Sequence, residues 1–341
     1  MLNKNKNDRI DLQRALNQRA YVNSMNAYRQ PRTSRFAQEK ARTRGLSWPK
    51  LIMVLVIVLS GYFIWTQPKA TAHAVLGVAK HLTGADARAA AQKAAAAQAA
   101  KAAEDQANLQ FSGQVNAILT SNPGIAFSIS IVTPVTGPHH YGSSGPLLAG
   151  STTKVLTAAA YMHNVEIGQA RLNQKIDGRT AQSLLRAMIV NSDDTAWSDI
   201  NYYLSYDDIQ NYAKSIGLNS YDWGPNAIAS DDIASLLRQL YNGSLLNPAD
   251  RSLLLSWLKQ ANYRDFIVPA VPREDVIYHK VGLYDDNVND AAIITRGHQW
   301  LVLVIFTDGH GAENWLNRAR LMQQITRYAL NDYLPAASSS E

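Results

Sequence analysis

Three short segments carry residue types that could do chemistry together: Ser151-Thr152-Thr153-Lys154, Ser192-Asp193-Asp194 and Lys280-Val281-Gly282. Residues i and i+3 share a helix face, so a helix opening at Ser151 sets Lys154 one turn from the Ser151 hydroxyl. An amine there can take the hydroxyl proton if burial and neighbouring cations hold its pKa down, which makes the serine a nucleophile. A helix N-terminus also favours developing negative charge. The plainer reading of Ser151 alone is a helix N-cap. The same Ser-x-x-Lys spacing recurs at Ser47–Lys50 and Ser256–Lys259. Ser47 has Pro49 inside the tetrad and borders an apolar segment, and Ser256 sits within the helical run Leu253, Leu254, Leu255, Trp257, Leu258. Ser151 instead follows Gly150 and opens the apolar run Val155 to Met162, which suits a buried helix that starts at the serine.

The elements that must position these segments are legible in outline. Residues 126–133 alternate as a strand, and Thr136 to Gly142 supply a turn and a second short strand. Helical patterns dominate from Ser151 to about Ala261. Asp275 to Gly282, Asp290 to Thr295 and Trp300 to Thr307 read as three strands joined by turns, and an amphipathic helix from about Glu313 to Leu334 follows. Strands at both ends with helices between them predict an α+β fold: one antiparallel sheet completed by the two halves of the chain, with an inserted all-α lobe. The three motifs fall at a helix start, in the lobe and on a returning strand.

The 341 residues and 46% apolar content are enough for one large domain or two small ones. The net charge of +6 is unevenly held: residues 1–50 contain twelve Lys or Arg and three Asp or Glu, a balance of +9, which leaves −3 for residues 51–341. The basic excess thus belongs to a tail rather than to a nucleic-acid-binding face. The chain has no cysteine, which excludes disulfides, thiolate metal sites and a Cys nucleophile. Its eight histidines form no pair at metal-ligand spacing beside a carboxylate, so neither a metal nor another cofactor is expected.

Leu51 to Trp65 is uncharged and apolar, flanked by Trp48-Pro49-Lys50 and Gln67-Pro68-Lys69. With its flanks it approaches the lower end of the roughly 17 to 25 residues a membrane span needs. A retained transmembrane helix over 51–67 is favoured over a cleaved signal peptide, because the 50 preceding residues are too long for an ordinary leader, although Ala70-Thr71-Ala72 is a weak cleavage candidate. The basic flank then puts residues 1–50, a polar and disordered tail, in the cytoplasm and the rest outside. Residues 68–108 form a linker whose Ala-rich part lacks core-building bulk and reads as a semi-rigid helical spacer. The globular domain is expected over 109–335, with 336–341 a disordered tail.

Over roughly Leu109 to Leu334 the chain resembles the penicillin-recognising serine hydrolases, most closely the class A β-lactamase-like branch. Gly150 to Leu156 looks like that family's nucleophile helix, Asn191 to Ala196 like its Ser-Asp-Asn loop, and His279-Lys280-Val281-Gly282 followed by Asn289 to Ala292 like its Lys-Thr-Gly strand and neighbour. The resemblance implies a β-lactamase/transpeptidase-like fold with Ser151 as acylated nucleophile, Lys154 as its proton acceptor and Ser192 as a hydroxyl relay. It makes Lys280 a positive charge facing a substrate carboxylate, and gives an oxyanion site to the backbone N–H groups of Ser151 and Leu283. Gly282, Leu283, Asp194 and Val281 would line the substrate, a β-lactam or peptidoglycan-like peptide. Taken alone, Ser192 could cap a helix and Lys280 could be an edge-strand charge.

Three departures stand out. Asp194 replaces the usual Asn, putting an acceptor-only carboxylate where an amide can donate, and could pair with Lys154 or Lys280. Val281 replaces a Thr or Ser hydroxyl. No glutamate lies between Glu166 and Glu274 to activate a deacylating water; Asp222 is the nearest loop carboxylate, and turn formation explains it equally well. The expectation is a membrane-anchored extracytoplasmic serine hydrolase that acylates more readily than it deacylates. The alternative is a catalytically degraded relative with a cell-wall binding or scaffolding role.

Overall fold

A computed structural model describes residues 84–309 and 315–335. The expected cytoplasmic tail, membrane segment and C-terminal tail lie outside the described residues. Within them no helix is long and apolar enough to cross a membrane.

Helix α1 spans Gly84–Ser121. Its residues 88–100 are exposed throughout and fall in a compact unit separate from the one that holds residues 101–341. The Ala-rich stretch is therefore helical, as its composition favours, but the helix does not stop near residue 108. Phe111, Val115 and Ile118 recur at i, i+4 and i+7 and are buried. Glu104 is buried as well, and its carboxylate accepts from the Thr133 hydroxyl at 2.5 Å and from Thr136, with His139 Nε2 at 3.1 Å. Packed structure thus begins at Glu104.

The sheet is built from β1 (Ala126–Val132), β2 (His139–Gly142), β7 (Val276–Tyr284), β8 (Asn287–Arg296) and β9 (Gln299–Asp308), in the order β2-β1-β9-β8-β7. All pairings are antiparallel, and β1 from the first half of the chain pairs with β9 from the second. Two-residue turns join β7 to β8 and β8 to β9, so that Tyr284 faces Asn287 and Arg296 faces Gln299. Asp285 (φ 50°) and Gly297 (φ 58°) take the left-handed backbone such turns need.

Both faces of the sheet are covered. Ala292, Ile294, Leu301, Leu303 and Ile305 pack with α1 and with the closing helix α8 (Trp315–Tyr333). Ala291, Ile293, Val302, Val304 and Phe306 pack with the inserted helices. This explains why Leu301 to Phe306 is one continuous apolar run rather than an alternating one.

The insertion contains α2 (Lys154–Glu166), α3 (Ala181–Val190), α4 (Asp194–Leu204), α5 (Tyr206–Ser215), α6 (Ser230–Asn242) and α7 (Pro248–Lys259). Two small ladders absent from the sequence reading, β3 (Leu147–Leu148) with β6 (Ala227–Ile228) and β4 (Lys175–Ile176) with β5 (Arg179–Thr180), tie its loops. Short 3₁₀ turns at Gly150–Thr153 and Val268–Ala270 complete the fold.

Candidate active site

The first motif does not open an α-helix directly. Gly150–Thr153 forms a 3₁₀ turn and α2 begins at Lys154. Side chains at i and i+3 eclipse in a 3₁₀ turn, and Lys154 Nζ lies 2.9 Å from Ser151 Oγ. Gly150 has φ 55°, open to glycine at little cost. A Cβ there would stand 2.8 Å from the backbone nitrogen of Leu283, and one on Gly282 would stand 2.1 Å from the Ala149 carbonyl oxygen. Glycine on both sides thus lets edge strand β7 close on the serine turn, and it brings the Leu283 main chain beside it.

The second motif joins α3 to α4. The residue that caps α4 is Asp193, whose carboxylate accepts from the Ala196 N–H at 2.9 Å. Ser192 is thereby released from capping and held at φ 58°, a costly setting for a non-glycine residue. Its hydroxyl receives Lys280 Nζ at 2.9 Å and lies 3.4 Å from Lys154 Nζ. Lys154 Nζ also donates to the Ser192 carbonyl at 2.8 Å.

Asp194 resolves in favour of Lys154: its Oδ1 is 2.5 Å from Lys154 Nζ. The Trp197 ring, one turn along α4, lies under the same ammonium at 5.5 Å from its centroid. Lys154 and Lys280 are 0% and 2% exposed. Burial lowers the Lys154 pKa from the ordinary lysine range, and the Asp194 charge works against that shift. Burial lowers Lys280 well below that range, with the adjacent Lys154 charge as the second cause.

Val281 enters the site differently from the sequence expectation. Successive side chains on a strand point to opposite faces, so with Lys280 turned toward Ser192 the Val281 side chain joins the apolar cluster shared with α8 and is 3% exposed. Its carbonyl is what reaches the site, accepting from Lys280 Nζ at 3.1 Å. Gly282 contributes close approach and Leu283 main chain. The loop carboxylate Asp222 is exposed and accepts from the Gly224 N–H at 3.0 Å within its own turn, and Glu166 is likewise exposed and accepts from the Asn247 N–H at 2.7 Å.

Asn226 is a site neighbour that sequence reasoning missed. It is buried at φ 56°, donates from Nδ2 to the Gly150 carbonyl at 2.9 Å and accepts from the Thr153 hydroxyl at 2.7 Å. Its own carbonyl accepts from the Ala149 N–H at 2.9 Å. It therefore fastens both ends of the serine turn. Its only signal in the chain is a Gly-Pro-Asn turn composition. Among the described residues, no group of three or more His, Cys, Asp or Glu is arranged to hold a metal ion.

No curated protein matches the chain. Among solved structures, PBP-A superposes with a TM-score of 0.61 at 18% identity over 66% of this chain and 96% of that one. A PBP-A mutant in an acyl-enzyme complex with penicillin G gives the same score and identity over 66% and 97%. The ancestral class A β-lactamase GNCA superposes with a TM-score of 0.60 at 22% identity over 65% of this chain and 99% of that one. At these identities the likeness speaks for the fold. Residues 110–333 match the family model described as the Beta-lactamase enzyme family. That match takes in the serine turn, the Ser192 loop and strand β7, and the chain belongs to the β-lactamase enzyme family.

Proposed function

We propose that this protein is a membrane-anchored, extracytoplasmic serine hydrolase, acylated on Ser151 by a β-lactam or a peptidoglycan-like peptide and slow to release the acyl group. The observation that carries the reading is the line from Ser151 Oγ to Lys154 Nζ at 2.9 Å, on to Ser192 Oγ at 3.4 Å, and from Ser192 Oγ to Lys280 Nζ at 2.9 Å. A hydroxyl with a buried amine 2.9 Å away meets the geometric condition for an activated nucleophile. The N–H groups of Ser151 and Leu283, on the two segments that Gly150 and Gly282 allow to meet, serve as oxyanion donors. Lys280 and the substrate-side main chain of β7 receive the acyl donor.

Slow release follows from the placement of the carboxylates. Asp194 is committed to Lys154, Asp222 to its own turn and Glu166 to the loop before α7, so attack of water on the acyl-enzyme lacks a dedicated general base. The acyl donor is inferred by analogy with the penicillin G complex of PBP-A. The apolar segment over 51–67 supplies the anchor, and the exposed Ala-rich helix acts as a spacer.

A fluorescent penicillin incubated with the full chain tests this. The expected result is one label per chain, lost in Ser151→Ala and persisting far longer than it takes to form. Absence of label on the wild type, or equal label on Ser151→Ala, overturns the proposal and leaves the scaffold reading standing. Rapid nitrocefin turnover would overturn slow release alone.

A further inference from the structure

The site holds two buried lysines and one carboxylate, which is bonded to Lys154. The geometry points to a division of labour between the lysines: Asp194 holds Lys154 as an ammonium, and Lys280 is the uncharged amine that finally receives the Ser151 proton. This inference rests on the nucleophile reading above and goes beyond it, because that reading gave the proton to Lys154 and a fixed positive charge to Lys280.

The carboxylate bonds Lys154, whereas the hydrogen-bond partners of Lys280 are a carbonyl and a hydroxyl. An ammonium has three N–H donors and no acceptor. Lys154 has three close partners for them: the Ser192 carbonyl at 2.8 Å, Asp194 Oδ1 at 2.5 Å and Ser151 Oγ at 2.9 Å. The first is acceptor-only, and so is the second as a carboxylate, so an ammonium donates to all three partners and its charge lies against the Asp194 carboxylate. Lys280 has two partners, the Val281 carbonyl at 3.1 Å and the Ser192 hydroxyl at 2.9 Å. A neutral amine satisfies both by donating to the carbonyl and accepting from the hydroxyl.

An unpaired buried ammonium is expensive, whereas one bonded to a carboxylate is compensated. The charged groups around Lys280 are Lys154 on α2, Asp194 at the start of α4, and Asp290 on β8. Asp290 is already bonded to His279 Nδ1 at 3.2 Å and to the Ile267 N–H at 3.1 Å. Asp193 acts on Lys154 from the α4 cap, where it also meets Arg179 at 3.6 Å. The lowered pKa of Lys280, caused first by burial and then by Lys154, fits the same assignment.

The proton then moves by exchange along the line. The Ser192 proton passes to the Lys280 lone pair at 2.9 Å, and Lys154 turns an N–H onto the Ser192 Oγ, 3.4 Å away, and gives it that proton. Lys154, now an amine, then takes the Ser151 proton as Ser151 Oγ attacks the acyl carbon. One proton leaves Ser151 and one arrives at Lys280, while Lys154 and Ser192 each give one and receive one. The new ammonium on Lys280 stands beside the acyl group as negative charge develops on it, and a replacement of Asp194 by Asn would move the neutral amine to Lys154.

Lysine side-chain NMR on the full chain, with ¹³C at Cε, tests this without requiring any activity. The expected spectrum at pH 7 has one buried amine signal that disappears in K280R, and one ammonium signal that disappears in K154R. Loss of either signal identifies the other, so one folded variant suffices. In D194N the Lys154 signal should titrate about one to three pH units lower, the size of shift that loss of an adjacent opposite charge gives. An amine at Lys154, two ammonium signals, or a Lys154 titration unmoved in D194N overturns the inference. Penicillin labelling in parallel separates the two readings. The expected lysine pattern without label leaves the charge assignment intact and removes the acyl donor, whereas label with a reversed pattern does the opposite.

Discussion

Two buried polar clusters lie between the sheet and the inserted helices, one at β1 and one at β7, and they are built on different principles. At β1 the hydroxyls of Ser128 and Ser130 meet Ser230 Oγ at 2.8 and 2.6 Å. Ser130 also donates to Asp231, whose Oδ1 lies 3.0 Å from His140 Nδ1. One carboxylate faces one imidazole, and each buried serine has a partner, which is how polar groups normally survive burial. At β7 two buried lysines lie near one carboxylate, which is bonded to Lys154, Ser192 is forced to φ 58°, and two glycines allow a backbone approach that no side chain would fit. The first cluster joins α6 to the sheet. The second carries a buried lysine whose partners are a carbonyl and a hydroxyl, together with unfavourable backbone, a combination that persists only where surrounding structure enforces it and that gathers at reactive sites.

The largest expected effect that would break this contrast is at Ser151. Ser151→Ala should abolish penicillin labelling while leaving the melting temperature nearly unchanged; a large loss of stability would make the β7 cluster structural like the other. Next is Gly282→Ala, whose Cβ would meet the Ala149 carbonyl at 2.1 Å. Displacing β7 from the serine turn by about 1 Å should slow acylation on the order of 100-fold, measured as the labelling rate on protein whose circular dichroism is unchanged. Wild-type labelling kinetics would mean that the close approach has no bearing on the chemistry.

Ser130→Ala probes the opposite cluster. It should cost roughly 1–3 kcal/mol in urea unfolding, because it strands buried partners, yet leave the labelling rate of the folded protein within about twofold, since distant sites behave independently. A labelling defect in folded protein would show that the clusters are coupled.

The smallest effect is pH-dependent. The Asp231 hydrogen bond raises the His140 pKa above its ordinary 6.5, so this contribution to stability is complete below about pH 6.5 and fades as pH rises through the raised value. Burial pushes Asp231 up, but the bonds from His140 and Ser130 outweigh it and lower its pKa below 3.8; that share is present above 3.8 and fades as pH falls through the lowered value. The pair is partly exposed. His140→Ala should therefore lower the melting temperature by at most about 4 °C near pH 5 and by less at pH 9. An equal deficit at both pH values would assign the loss to packing.

The parts of this architecture that were legible in the chain have strong local signals. Leu301 to Phe306 could hardly be other than a strand buried on both faces, and the order of the three motifs pointed to a single site. Other features depended on distant partners. The spacing of Phe111, Val115 and Ile118 is helical, but only β1 and α8 make α1 continue past the Ala-rich stretch to Ser121. Asn226 lies 76 positions from the Gly150 carbonyl it holds, and nothing near it in the chain sets it apart from an ordinary turn asparagine. Val281 looked like a substrate contact because it stands inside a motif, yet the pleat turns its side chain into the core.

The sequence by itself determined which groups are available: one serine with a lysine three residues on, a second serine beside two aspartates, and a second lysine before a glycine. It also determined the family, since those groups occur in order on segments of the right character. Only the tertiary structure decided how they divide the work. Whether Asp194 neutralises Lys154 or Lys280, and whether Ser192 or Asp193 caps α4, depends on differences of an ångström or two among segments 40 to 88 residues apart. Spacing along a chain fixes which residues can share a turn of helix; electrostatic pairing falls off with distance in space, and that distance is set by the packing of the sheet against the lobe.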